Sequence, residues 1–239
     1  MTTKSILRYW RRLCAILCIT GCVMMGGVLA PAVGQNTELK PMRYLALGDS
    51  YTIGASVAPT ERWPVQLAAQ LRANGLIVAE PLIIARTGWT TDELMAGIER
   101  QQPQGLFDLV SLLIGVNDQY RGRGSDDYRL QFRHLLHTAI AYAGGHLAHV
   151  IILSIPDWSV TPFAAGYQRA AIAADIDHFN AINRQETTQA GARYVDVTPV
   201  SRQALQDASL LATDGLHPSG KMYTQWVELM LPTALAATQ

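Results

Sequence analysis

Gly48-Asp49-Ser50 follows directly on the apolar run Tyr44-Leu45-Ala46-Leu47, and Asp214-Gly215-Leu216-His217-Pro218 lies near the other end of the chain. These two stretches hold a serine, a histidine and a carboxylate, the groups with which a protein attacks an ester carbonyl. A serine hydroxyl is a weak nucleophile at neutral pH, so it needs an imidazole to take its proton and a carboxylate to orient that imidazole. Here the carboxylate precedes the histidine by three residues, and one short loop can present both. The Gly-x-Ser-x-Gly elbow, which goes with an acid and a histidine on separate loops, does not occur in the chain. Either stretch alone is an ordinary turn; together they need a scaffold that brings the two ends of the chain to one place.

That scaffold is legible as β-rich runs alternating with longer stretches of helical period, the pattern of a parallel sheet covered by helices on both faces. Strands are predicted at Arg43 to Leu47, Leu82 to Ala85, Leu109 to Ile114, Val150 to Ser154 and Tyr194 to Val197. Several are continuous apolar runs, as expected of strands buried on both faces. Helices are predicted from Trp63 to Asn74, after a capping box of Thr90 with Glu93, from Asp126 to Ala143, from Ala170 to Ala190, and from a Ser219 cap to about Leu231. Arg121 to Asp127 reads as a surface loop. Loops at the C-terminal ends of parallel strands gather on one edge, where open α/β sheets hold ligands. Ser50, Gly88 and Asn117 follow the first three strands and the Asp214/His217 loop follows the last, so all four should converge there.

Composition narrows the chemistry. Basic and acidic residues are equal at 19 each, but Lys4, Arg8, Arg11 and Arg12 all precede the first acid, Glu38, which leaves a mildly acidic body. Without a run of Lys and Arg, nucleic acid is not an expected partner. All three cysteines, Cys14, Cys18 and Cys22, lie near the N-terminus, so the body has neither a disulfide framework nor a thiol nucleophile. His134, His137, His146 and His149 have suggestive spacings, but the two pairs fall on different elements with no acid completing a set, and they read as surface or packing residues. No metal or organic cofactor is expected.

The basic N-terminus is followed by an uncharged stretch from Leu13 to Gly34, which reads as an export signal. Small residues at Ala32 and Gly34 favour a cut before Gln35, making residues 1–34 a leader and 35–239 a single domain. Two alternatives stay open. Ile19-Thr20-Gly21-Cys22 is similar to a lipobox that would lipidate Cys22, although Val23 to Leu29 is more apolar than the tether such an anchor needs; and Leu13 to Gly34 is long enough to span a bilayer if retained. All three put the body beyond the cytoplasmic membrane, in the periplasm or outside the cell.

From Met42 to Pro232 the chain resembles the SGNH hydrolases, also called the GDSL esterase/lipase family. Gly48-Asp49-Ser50 matches the first block of that family, Gly88 the second, Gly115-Val116-Asn117-Asp118 the third and Asp214-Gly215-Leu216-His217 the fifth. Tyr51 stands where leucine would complete Gly-Asp-Ser-Leu. The resemblance implies a flavodoxin-like three-layer α/β/α sandwich, a triad of Ser50, His217 and Asp214, and an oxyanion hole of the Ser50 and Gly88 N–H groups with the Asn117 amide. Uncharged donors of that kind stabilise the negative oxygen of a tetrahedral intermediate. Asp49 and Asp118 read as structural, bonding nearby backbone N–H groups.

Tyr51, Trp89, Tyr120, Trp158 and Phe163 are candidates for the substrate pocket, with Tyr167 and Arg121 close by in sequence. The expected function is an exported serine esterase forming an acyl-enzyme on Ser50. Short acyl chains are favoured, on carbohydrate O-acetyl groups or small esters, because no long apolar lid segment is evident. Lipid or lysophospholipid cleavage and acyl transfer to an alcohol are the alternatives, and a non-enzymatic binding protein on the same fold is more distant.

Overall fold

A computed structural model describes residues 40–237. Five strands form one wholly parallel sheet: β1 (Tyr44–Gly48), β2 (Leu82–Ala85), β3 (Leu109–Leu113), β4 (Val150–Leu153) and β5 (Arg193–Val195), in the order β2-β1-β3-β4-β5. Every residue of β1, β3 and β4 is buried, the physical counterpart of their continuous apolar sequences.

The long helices are α2 (Trp63–Ala73), α3 (Thr91–Gln101), α5 (Ser125–Tyr142), α6 (Arg169–Ala190) and α8 (Gly220–Ala236). Short helices α1 (Ser50–Ile53), α4 (Val116–Tyr120) and α7 (Thr198–Arg202) begin two or three residues after the ends of β1, β3 and β5. The α2 and α8 helices pack together, as do α3 with α5 and α5 with α6. With right-handed crossovers, the step from β1 to β2 and the steps from β2 through β5 place those two sets on opposite faces. The fold is therefore an α/β/α sandwich. Its direction of winding reverses between β1 and β3, and the crevice beyond their C-terminal ends is where such sheets bind ligands. Ser50 and Asn117 lie just past those two ends.

Two predicted boundaries are corrected. The loop expected from Arg121 to Asp127 ends earlier, because α5 begins at Ser125 with Asp126 and Asp127 in its first turn, where the helix dipole favours acids. The last helix runs to Ala236, past Pro232 and beyond the expected stop near Leu231. Proline forfeits one helical hydrogen bond, but Met230 and Ala234 on either side are fully buried and hold that turn against the core. Among the described residues no helix is long and apolar enough to cross a membrane. The leader expected at residues 1–34, with Cys22, lies outside the described residues.

Candidate active site

Gly48 ends β1 where no side chain fits: an added Cβ would lie 2.1 Å from Thr52 Oγ1 and 2.5 Å from the Leu113 carbonyl oxygen. The chain then turns at once into α1. Asp49 caps that helix, accepting the Tyr51 N–H on Oδ1 at 3.0 Å, while the Thr52 and Ile53 N–H groups bond to its carbonyl. Ser50 is the first helical residue, and its N–H is the first-turn donor that Asp49 does not engage. Tyr51 is immobilised behind it, its carbonyl accepting from Trp63 Nε1 at 3.1 Å and from the Tyr223 hydroxyl at 3.0 Å.

At the other end of the chain, an antiparallel bridge between Leu211 and Pro218 and a hydrogen bond from the Ala212 N–H to the His217 carbonyl close a tight loop. Asp214 organises it from within: Oδ1 accepts the N–H groups of Leu216 and His217, both at 3.0 Å, and Oδ2 lies 2.6 Å from His217 Nδ1. With the Nδ1 proton directed at the carboxylate, Nε2 is left as the ring's acceptor. Partial burial pushes the Asp214 carboxyl up, but the hydroxyl of Ser56, the His217 ring and the two backbone N–H groups outweigh it and hold it well below the usual carboxylate range. The Tyr51 ring meets the His217 ring edge-on at 5.7 Å between centroids.

Gly88 sits in a tight turn closed by the Trp89 N–H on the Arg86 carbonyl, with φ of +86° at the third position, where glycine avoids steric cost. Two side chains from the β3 side fasten this turn. Asn117 Nδ2 donates to the Trp89 carbonyl at 2.9 Å, and Arg121 Nη2 donates to the Gly88 carbonyl at 2.5 Å while Nη1 reaches Glu93 at 3.1 Å. The capping box of Thr90 with Glu93 is present, so the same carboxylate starts α3 and anchors Arg121.

These pieces meet at one cavity of about 160 Å³, lined by Ser50, Tyr51, Thr87, Gly88, Val116, Asn117, Tyr120, Trp158, Phe163, Leu216 and His217. Ser50 is 5 % exposed there. Among the described residues no hydrogen bond joins Ser50 Oγ to His217; triad contacts are commonly loose without substrate and tighten once it binds. A larger groove of about 540 Å³ runs along α6 and α7, but its charges are paired, Arg184 with Asp196 and Arg202 with Asp157 and Asp177. It contains none of the candidate catalytic groups.

Of the pocket residues named from sequence, Tyr51, Tyr120, Trp158 and Phe163 line the cavity. Trp89 does not: its ring covers Gly97 on α3, where an added Cβ would lie 2.2 Å from it, and the Arg100 guanidinium sits 6.0 Å above it. Gly97, a residue without a side chain on a helix face, was the signal that something bulky needed room there. Tyr120, Trp158, Phe163 and Tyr167 form one aromatic cluster, with Trp158 Nε1 donating to Gln119 and the Tyr120 and Tyr167 hydroxyls 3.2 Å apart. Thr87, Val116 and Leu216 line the cavity without having been singled out, and Ser56 touches Asp214 from a loop carrying no motif.

Asp49 and Asp118 are fully buried. Burial pushes the Asp49 carboxyl up to about 8, and its Oδ2 has no hydrogen-bond partner among the described residues. Asp118 accepts from the N–H and hydroxyl of Thr91 and ties the third-block loop to the start of α3; burial pushes its carboxyl up to about 6. Of the histidines, His134 and His137 lie on α5, while His146 and His149 stack on each other at 4.9 Å, before β4 and so at the opposite edge of the sheet. Among the described residues no three potential metal ligands converge.

A parallel α/β sheet with a serine, a histidine–aspartate pair and a largely apolar cavity at its C-terminal edge has the build of a hydrolase. A family model described as GDSL-like Lipase/Acylhydrolase matches residues 46–225, most of the chain, and the protein belongs to that family. It is an ester-bond hydrolase with the SGNH fold. Its fold is similar to that of TesA, with a TM-score of 0.64 and 19% identity over 82% of this chain and 99% of that one. Axe2, an acetylxylan esterase from Geobacillus stearothermophilus, aligns with a TM-score of 0.62 and 20% identity over 81% of this chain and 94% of that one. The psychrotrophic esterase EstA from Pseudoalteromonas sp. aligns with a TM-score of 0.58 and 18% identity over 81% and 97%. No curated protein matches the chain by sequence.

Proposed function

We propose that the protein is an exported serine esterase acting on short acyl esters, with O-acetylated carbohydrates or small esters as substrates. Ser50 is the nucleophile, His217 its general base and then acid, and Asp214 the orienting carboxylate. The Ser50 and Gly88 N–H groups and the Asn117 amide receive the oxyanion. The carrying observation is that Ser50, Gly88, Asn117 and His217, drawn from four separate segments of the chain, share the wall of one cavity.

His217 Nε2 takes the proton as Ser50 Oγ bonds to the acyl carbon, and the carbonyl electrons move to an oxygen facing the Gly88 and Asn117 donors. Collapse expels the alcohol, which takes the proton from His217, and leaves an acyl-Ser50 ester. Water deprotonated by His217 then attacks that ester, releasing the acid and restoring the serine. Asp214, with its charge fixed by the surrounding donors, steadies the imidazolium in both halves.

The preference for short chains is supported by the size of the cavity. Its volume of about 160 Å³ is comparable to the ~150 Å³ space that holds one benzene, which supports a short acyl group over a fatty chain. The half-exposed rings of Tyr120, Phe163 and Tyr167 at the rim offer flat surfaces to a sugar, and an acetylxylan esterase is among the proteins of similar fold. Export is supported by the basic start and the apolar stretch Leu13 to Gly34; a cut before Gln35 would release residues 35–239 as one domain, and lipidation of Cys22 is the alternative. Hydrolysis of p-nitrophenyl esters from acetate to palmitate tests the substrate reading. Rates should fall steeply beyond short chains, and a preference for long chains would move the assignment to lipid esters.

A further inference from the structure

Ser56 holds a left-handed backbone, φ +65°, which side chains other than glycine and asparagine rarely adopt and which tends to persist where surrounding contacts enforce it. The turn that carries it is bound to the residue bearing the candidate nucleophile: the N–H groups of Gly54 and Ala55 both donate to the Ser50 carbonyl. From this turn the Ser56 hydroxyl donates to Asp214 Oδ2 at 2.6 Å, the same oxygen that faces His217 Nδ1. The other carboxylate oxygen is occupied by the loop's own N–H groups. Among the described residues, Ser56 is thus the one hydrogen-bond partner of Asp214 that comes from outside its loop.

We propose that Ser56 is a positioning residue, a strap between the nucleophile's turn and the acid–histidine loop across a separation of 158 residues. It sets the approach of His217 Nε2 to Ser50, and it shares the negative charge of Asp214 Oδ2 with the imidazole. The inference rests on the triad reading above. It also explains why a serine occupies a conformation that glycine would adopt without strain: glycine could form the turn but could not hold the carboxylate.

Ser56→Gly and Ser56→Ala in the full chain test this, with kcat, KM and the pH profile of kcat/KM measured on p-nitrophenyl acetate beside Ser50→Ala. Glycine suits the turn, so a residue serving only the turn would lose nothing by that change. The strap predicts that kcat falls roughly tenfold in both variants, as for loss of one hydrogen bond to a charged group, with KM within about twofold. Among the described residues, the titratable groups recorded against the His217 ring are Asp214 and Tyr51. With Oδ2 no longer shared, Asp214 should hold the protonated ring more strongly and move the acid limb of the profile to higher pH. Unchanged kcat in Ser56→Gly, a loss confined to KM, or an unmoved acid limb would overturn the proposal. Full activity in Ser50→Ala would instead refute the triad itself.

Discussion

Replacing Asn117 with alanine removes donors with two separable consequences. One proton of Nδ2 is committed to the Trp89 carbonyl at 2.9 Å, a bond that steadies the Gly88 turn. A neutral hydrogen bond of this kind contributes ~1 kcal/mol, so the melting temperature should fall by ~2–4 °C for a domain of this size. Under the proposed assignment the other proton serves the cavity that Asn117 lines, where it would meet charge that exists only once the carbonyl oxygen becomes an oxyanion. Loss of one such donor raises a barrier by ~3 kcal/mol, roughly a hundredfold in kcat. Steady-state hydrolysis of p-nitrophenyl acetate at saturation, with thermal melting on the same samples, separates the two. The expected pattern is kcat lower by about two orders of magnitude, KM within about threefold and a small drop in melting temperature. A folded variant with kcat near wild type, or one whose loss falls wholly in KM, would refute the assignment of Asn117.

Arg121→Met frees the Gly88 carbonyl and should lower kcat by roughly fivefold, the equivalent of one ~1 kcal/mol contact, with little change in stability because the guanidinium is half exposed; an unchanged kcat would show that the turn holds itself. Trp89→Ala should cost ~2 kcal/mol of stability through the space opened over Gly97 while leaving KM for p-nitrophenyl acetate unaltered, and a raised KM would return this ring to the pocket. Asp49 supplies a pH test. Its carboxyl is raised from 3.8 to about 8 in the folded protein, so the native state binds the extra proton and this group erodes stability as pH rises between about 4 and about 8. Asp49→Asn cannot titrate, and its denaturant-measured stability should decline less across that window by up to ~1.4 kcal/mol per pH unit; equal slopes for the two proteins would contradict the burial argument.

The sheet was readable because β1, β3 and β4 are buried on both faces and therefore apolar throughout, a signal that needs no partner to interpret. Helices α2, α3, α5 and α6 carried enough turns for caps and period to show. The helices that place Ser50 and Asn117 did not, since α1 has 4 residues and α4 has 5, too few for a period to repeat. The bounds of α8 failed at Pro232 because tertiary packing of Met230 and Ala234 outweighs one lost hydrogen bond. At the site, motif spacing located Ser50, Gly88, Asn117, Asp214 and His217 on one cavity or its loop. Orientation was out of reach: nothing in the local sequence says that Trp89 turns toward α3 while Trp158 lines the cavity. The contact of Ser56 with Asp214 spans most of the chain and depends on a backbone angle that serine rarely adopts, so no local pattern announces it.

Covalent labelling tests the central claim most directly. An alkyl fluorophosphonate traps a serine that an imidazole has activated, with Oγ bonding to phosphorus as fluoride leaves. Mass spectrometry of the labelled protein should show a single adduct on the peptide containing Ser50, lost in Ser50→Ala and strongly slowed in His217→Ala while both variants remain folded. An adduct on another residue, or ester hydrolysis at the wild-type rate in folded Ser50→Ala, would contradict the account.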